Sequence, residues 1–328
     1  MNPWIMFVLS AAAVVLAGRK LSQYGDDIAT QTGLGRAFVG SILLAGATSL
    51  PEIVASVAAG LGGAGNLALG NVFGSNIFNV AILVLAQFAA ARRILANVGQ
   101  THTVVAAAGI MLSGLAALAM VVRLPFAFLG AGVDAWVILL TYIFILRLLP
   151  REAEEPQVAA AAEPAPGGVG LLWLKFAGAA AVVVVSGWFL SVAADRIAVI
   201  TGLGQTFVGS TLLAAVTSLP ELTVTIFTAG QGLYDLALGN VLGSNIFNMV
   251  IIVLADFALP GGTILSVASR GQIIAALAGL VMSGIAVVAL ASSPLLGAEA
   301  KEGARFRWEA YAIAVTYAAA TYLLFVLR

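Results

Sequence analysis

Residues Thr32 to Ala89 recur without a gap as Thr201 to Ala258, each position i matching i+169, and 35 of the 58 aligned residues are identical. A chain duplicated in this way folds as two copies of one unit, so a site that the copies share is assembled from matched residues of both. Identity concentrates in two polar blocks set within apolar sequence: TSLPE (Thr48 to Glu52, Thr217 to Glu221) and ALGNV-x-GSNIFN (Ala68 to Asn79, Ala237 to Asn248). Each copy therefore carries one acid, Glu52 or Glu221, into the middle of an apolar stretch.

Hydrophobic residues make up 61% of the 328 and charged residues 9%, with a mean hydropathy of +1.07. That leaves too little polar surface to clothe a water-soluble globule, and the expected fold class is an all-α polytopic membrane protein. Ten apolar stretches are long enough to cross a bilayer, at about 3–18, 37–62, 67–91, 101–122, 126–149, 170–194, 206–230, 235–259, 271–292 and 308–327, the fifth with a possible later start near Asp134. Five spans per copy is an odd number, so the second copy enters the membrane upside down and the two form inverted-topology five-helix repeats. Residues 1–149 are the expected first half and 169–328 the second. Between them residues 150–168, rich in Pro, Ala and Glu, read as a flexible cytoplasmic linker too short for a calcium-sensing domain.

Basic residues orient the bundle. With the N-terminus outside, Arg19, Lys20, Arg36, Arg92, Arg93, Arg147, Arg151, Lys175, Lys301, Arg305 and Arg307 fall inside and only Arg123, Arg196, Arg270 and Arg328 outside, as the positive-inside rule requires. Both termini are then outside. The first segment has its basic pair after the apolar run, the reverse of a cleaved signal peptide, and is expected to be a retained helix. Cysteine is absent, which excludes disulfides and thiolate metal ligands.

A Glu at the centre of a lipid-surrounded helix costs about 3 kcal/mol even on permissive scales, so two of them need compensation. Neutral acids hydrogen-bonded in a helix interface would satisfy one such residue; two in identical contexts, one per repeat, point to a cation site. Pro51 and Pro220 each remove a backbone donor, freeing carbonyls around Ala47 to Ser49 and Val216 to Ser218 either to bind cations or simply to kink the helix. Thr48 shares a helix face with Glu52, and Thr217 with Glu221. On the next helix Asn71, Ser75 and Asn79, and in the second copy Asn240, Ser244 and Asn248, recur every four residues as an inward polar stripe. Asn71 and Asn240 fit ligation and helix packing equally. Carboxylate, hydroxyl, amide and backbone carbonyl are hard oxygen donors suited to Ca²⁺, Na⁺ or protons.

The other polar residues read more plainly. His102, the lone histidine, is expected at the surface near the start of the fourth span. Asp256, which matches Gln87, is expected to be solvated or snorkelling at a helix end, and the matched Asp26 and Asp195 to be solvated loop charges. Gly40, Gly46, Gly70, Gly74, Gly209, Gly239 and Gly243 are expected to let helix backbones approach closely.

The paired blocks GATSLPE with ALGNVFGSNIFN and AVTSLPE with ALGNVLGSNIFN closely resemble the α-repeats of the sodium/calcium exchanger family in the cation/calcium exchanger superfamily. The resemblance is strong over both 58-residue repeats and extends, through helix count, inversion and linker position, to nearly the whole chain. It implies cation sites around Glu52 and Glu221, lined by Thr48, Ser49, Ser75 and Asn79 from the first repeat and Ala214, Thr217, Ser218, Ser244 and Asn248 from the second. Thr48 and Thr217 would offer backbone carbonyls to Ca²⁺, and Ser75 and Ser244 would serve flanking Na⁺ sites. It also implies that the first and sixth helices slide across this core. Asn248 departs from the family, many of whose members carry Asp there.

The expected function is a secondary antiporter that exchanges Ca²⁺ for Na⁺ by alternating access, with H⁺/Ca²⁺ exchange as the rival. A passive channel conflicts with inverted broken repeats, a non-transporting Ca²⁺ sensor stays open, and no nucleophile or metal constellation supports an enzyme. Expected partners are the transported ions Ca²⁺ and Na⁺, with H⁺ as the alternative, and the lipid bilayer of a prokaryotic cell membrane; no cofactor, nucleic acid or obligate protein partner is expected.

Overall fold

A computed structural model of the protein describes residues 2–90, 94–96, 98–149, 168–201, 213–292 and 308–326. The first helix, α1 (Pro3–Thr32), starts where the Asn2 side chain accepts from Trp4 N at 2.9 Å and ends at Gly33, whose φ of 74° stops the helix in the left-handed conformation that glycine adopts freely. Next come α2 (Arg36–Thr48), with a π-helical turn over Val39–Leu44, and α3 (Leu50–Leu61), bent by 46° from α2. The long helix α4 (Gly65–Ala89) is followed by a single 3₁₀ turn at Ile94–Ala96 and by α5 (Thr101–Val122). A small hairpin of β1 (Ala127–Phe128) and β2 (Ala131–Gly132) leads into α6 (Val133–Leu148). The second half contributes α7 (Gly168–Thr201), α8 (Leu213–Thr217), α9 (Leu219–Gly230), α10 (Tyr234–Ala258), α11 (Arg270–Ser292) and α12 (Trp308–Val326).

Seven of these helices, α1, α4, α5, α7, α10, α11 and α12, are each long and apolar enough to cross a membrane, and the bent pair of α2 and α3 makes an eighth span. The remaining two expected spans are only partly matched. α6 has 16 residues and starts at Val133 rather than 126, because the chain first turns through Leu129 (φ 49°) and Gly130 (φ 89°). Of the expected seventh span, residues 206–212 lie outside the described residues, as do the linker residues 150–167 and Gly209.

The interior belongs to α4 and α10. Both bury apolar residues around the helix, including Leu69, Val72, Phe73, Val80 and Leu83 on α4 and Leu238, Val241, Ile246, Met249 and Ile252 on α10, in one cluster with α5 and α11. On the outer helices apolar residues face outward instead: Val8 and Leu16 on α1, Leu174 and Val185 on α7, Val315 and Tyr322 on α12 are all more than half exposed. That apolar-outside pattern suits a lipid surrounding. The π turn of α2 lies directly on α10, where a Cβ on Gly40 would come within 3.0 Å of the Gly239 Cα and one on Gly239 within 2.9 Å of the Gly40 Cα. Gly46 does not share this packing role, since a Cβ there meets no neighbour within 4 Å.

Several polar residues differ from expectation. α1 and α7 run well past the apolar stretches that seed them, so Asp26 and Asp195 are helical rather than in loops. Asp26 is half-buried and pairs with Arg36 at 2.6 Å. His102 is fully buried, with Nε2 2.8 Å from Asp235 Oδ1 at the start of α10, because the first turn of α5 packs beneath that helix. Asp256 is fully buried and neither solvated nor snorkelling. Its Oδ2 accepts from Gly132 N at 2.6 Å, and its Oδ1 from Thr263 N at 2.6 Å and Ile264 N at 2.5 Å, tying the hairpin to the loop after α10. Replacing Asp256 by Ala strips three backbone donors of their acceptor, two of which, Gly132 N and Ile264 N, are buried. The expected cost is about 3–5 kcal/mol, read as a lowered midpoint of thermal unfolding in detergent.

Candidate ion-binding site

Proline creates the site. Ahead of Pro51 and Pro220 the helix breaks at Ser49 (φ −83°, ψ 6°) and Ser218 (φ −84°, ψ 11°), and α3 and α9 start afresh one residue later. Ser49 N donates to Ala45 O and Ile53 N to Ser49 O, as Ser218 N does to Ala214 O and Leu222 N to Ser218 O. The Thr48 and Thr217 carbonyls fall between these bonds, outside the backbone ladder. Glu52 and Glu221 sit in the first turns of α3 and α9, where the partial positive charge of a helix N-terminus favours a carboxylate.

Both acids are fully buried, and each is held by the opposite repeat. Ser218 Oγ donates to Glu52 Oε1 at 3.0 Å and Ser49 Oγ to Glu221 Oε1 at 2.9 Å. From the neighbouring helix Ser75 Oγ donates to Glu52 Oε1 and Ser244 Oγ to Glu221 Oε1, both at 3.4 Å. The contacts are reciprocal, as a two-fold relation between the copies requires.

The asparagines work as supports. Asn71 Nδ2 donates to Ser56 Oγ (3.0 Å) and Glu52 O (3.4 Å) while its Oδ1 accepts from Thr217 Oγ1 (3.2 Å). Asn240 does the same for Thr225 Oγ1 (3.0 Å), Glu221 O (3.3 Å) and Thr48 Oγ1 (3.1 Å). Both ends of each amide are thus engaged in packing, which separates Asn71 and Asn240 from the residues that present free oxygen. Asn79 Nδ2 donates to Asn245 Oδ1 at 3.1 Å and Asn248 Nδ2 to Asn76 Oδ1 at 2.8 Å. Asn76 and Asn245, matched positions, also donate to each other's backbone carbonyls at 3.4 and 3.3 Å. Neither was singled out from the sequence: both lie in the identical GSNIFN block but off its four-residue stripe.

Four oxygens remain. Glu52 Oε2, Glu221 Oε2, Asn79 Oδ1 and Asn248 Oδ1 are buried and have no hydrogen-bond partner among the described residues. The asparagine orientations follow from their nitrogens, which are committed to Asn245 and Asn76. Buried acceptors at matched positions, without a hydrogen-bond partner, are an environment of the kind that suits a cation. Ala214, by contrast, already accepts from Ser218 N at 3.0 Å and Thr217 Oγ1 at 3.2 Å, much as Ala45 accepts from Ser49 N and Thr48 Oγ1. Among the described residues no three His, Cys, Asp or Glu side chains are grouped so as to hold a metal ion, and the groups around the acid pair are hydroxyls and amides.

A duplicated helical bundle with apolar outer faces, two broken helices and a buried acid pair between its copies belongs to the class of integral membrane transporters. The chain is a member of the sodium/calcium exchanger protein family, whose family model matches residues 2–149 and 171–326. Inner membrane protein YrbG of Escherichia coli strain K12 is 28% identical over 75% of this chain and 79% of its own length. The putative antiporter CaxA of Alkalimonas amylolytica is likewise 28% identical over 76% and 78%. Over 52 residues, 16% of this chain and 15% of the other, the identity to the sodium/calcium exchanger MaX1 of Methanosarcina acetivorans reaches 54%. The solved structure of the sodium-calcium exchanger NCX_Mj soaked with 10 mM Na⁺ and no Ca²⁺ superposes with a TM-score of 0.72 at 22% identity, covering 100% of this chain and 99% of that one, and shows the shared fold.

Proposed function

We propose that the protein exchanges Ca²⁺ for Na⁺ across a prokaryotic cell membrane, with the two ions competing for one site built by both repeats. The observation that carries this reading is the set of four unpartnered buried oxygens on Glu52, Glu221, Asn79 and Asn248. Ca²⁺ and Na⁺ take oxygen ligands in flexible geometry, whereas Mg²⁺ dehydrates reluctantly and usually keeps several waters. Thr48 and Thr217 complete the set through their carbonyls, and Ser49, Ser75, Ser218 and Ser244 through hydroxyls that now rest on the carboxylates. Ala214 joins only if its carbonyl releases the Thr217 hydroxyl. Residues 1–149 and 169–328 act as inverted halves, with 150–168 on the cytoplasmic side and both termini outside.

Alternation follows from charge. Two ionised carboxylates leave −2 in a site closed to water, and an empty site of that charge resists the dehydrated, occluded state through which access must switch. One Ca²⁺ or two Na⁺ neutralise it. Each occupancy then licenses one passage as α1 and α7 slide along the core, and coupling needs no contact between the two ions. The amide of Asn248 favours H⁺/Ca²⁺ exchange as a second reading, because three Na⁺ would leave +1 where a third carboxylate is missing.

Liposomes loaded with Na⁺ and diluted into Na⁺-free buffer, with the pH gradient clamped to zero, decide between them. ⁴⁵Ca²⁺ uptake that depends on internal Na⁺ is the expected result. Uptake that appears only with an imposed proton gradient transfers the assignment to H⁺/Ca²⁺ exchange, uptake that needs neither gradient marks a channel, and binding without uptake marks a sensor.

A further inference from the structure

The two copies match in sequence around the site but not in the register of the outer helices. Gly18 on α1 and Gly187 on α7 are repeat mates, 169 residues apart. A Cβ on Gly18 would meet Thr223 Cγ2 at 3.1 Å, whereas one on Gly187 would meet Pro51 Cγ at 2.6 Å. Pro51 corresponds to Pro220, three residues before Thr223, so α1 and α7 sit in registers that differ by three residues, about 4.5 Å along a helix axis. Burial agrees: Val224, beneath α1, is fully buried, while its mate Ala55 is partly exposed.

Beside the apolar packing of Leu21 and Ile28, two contacts of charged side chains tie α1 to its neighbours in this register. The Arg19 guanidinium lies over the Phe227 ring at 5.0 Å from its centroid, joining α1 to α9. Asp26 pairs with Arg36 Nε at 2.6 Å, joining α1 to α2. The residues that match Arg19, Phe227 and Arg36 in the other copy are Trp188, Ala58 and Gln205, none of which can reproduce either contact. Two related halves therefore differ here: the residue types that make these two contacts are present in one copy and not in the other.

We propose that Arg19–Phe227 and Asp26–Arg36 form a one-sided latch that makes closure of the mouth beside α9 the resting state of the transporter. The inference rests on the transport reading insofar as α1 must leave this register during a cycle. Each contact lies at a partly exposed site and is individually weak, so its loss shifts the balance between the two registers by about fivefold rather than trapping one of them. Because both contacts involve charges near the surface, the Asp26–Arg36 part also weakens with added salt.

The chain has no cysteine, so single reporters can be introduced without background. With Val224→Cys beneath α1 as the reporter, Arg19→Ala and Arg36→Gln should each raise the maleimide labelling rate about fivefold, and the pair more. The same variants should lower labelling of Ala55→Cys at the opposite mouth, because opening one mouth covers the other. Unchanged labelling at Val224→Cys overturns the latch, and so does a parallel rise at both reporters, which would signify general loosening. This readout involves neither Na⁺ nor Ca²⁺, so a latch that behaves as expected in a protein that moves no Ca²⁺ would refute the ion assignment and leave the latch standing.

Discussion

Glu52→Gln and Glu221→Gln should each reduce Na⁺-driven ⁴⁵Ca²⁺ uptake about 100-fold or more, and by similar factors. Each acid is fully buried and makes the same two serine contacts as its mate, so neither is privileged. Glutamine keeps the shape and still accepts from Ser218 or Ser49, which preserves packing and lets the loss be read as ion binding rather than misfolding. What changes is the second oxygen. At Glu52 Oε2 or Glu221 Oε2, an acceptor with no partner, glutamine places an NH₂ donor and removes one charge. Ca²⁺ in a site of −1 leaves an uncompensated positive charge in a region of low dielectric, and a 100-fold loss corresponds to only about 2.7 kcal/mol, less than such a charge ordinarily costs. A folded variant that retains uptake within threefold of the parent removes that glutamate from the site.

Gly243→Ala is the second large effect, and it acts on structure. Its new Cβ would overlap three backbone atoms of Ser41, the O, Cα and C, in the π turn of α2. A side chain could rotate aside, but backbone cannot, so α2 has to move away from α10. Thr48 and Ser49 lie at the end of α2 and move with it, which carries the break away from Glu221. Overpacking of this kind costs about 3 kcal/mol, or about 5 °C in the unfolding midpoint for a chain of this size, together with loss of Ca²⁺ binding. Gly46→Ala on the same helix is the control: its Cβ meets nothing within 4 Å, and the second copy already has Ala215 at that position. Equal unfolding midpoints for the two variants would contradict the close α2–α10 packing.

Much of the candidate site was legible because lipid leaves polar side chains few places to go. Glu52, Ser75 and Asn79 stand in otherwise apolar sequence, so they had to face inward, and their recurrence at 221, 244 and 248 paired them across the repeats. Pro51 and Pro220 likewise announced a break that the structure places at Ser49 and Ser218. His102 and Asp256 depart from what their local sequence implies for a shared reason. Each sits at the end of an apolar stretch, where local sequence suggests solvent, and each is buried by a partner from a distant part of the chain: Asp235 for His102, and the backbone of residues 132, 263 and 264 for Asp256.

Duplication, hydropathy and the spacing of polar residues thus determined by themselves that the chain forms two related halves around an acid pair in a membrane. Only the tertiary structure decided that Ser218 serves Glu52 while Ser49 serves Glu221, that Asn76 and Asn245 aim the oxygens of Asn79 and Asn248, and that α1 and α7 rest three residues out of register. The physical reason is the range of the contacts. Period and hydropathy are local properties, whereas these hydrogen bonds join residues 166 to 172 positions apart. A repeat in sequence specifies equal halves, and only packing can hold them in unequal positions.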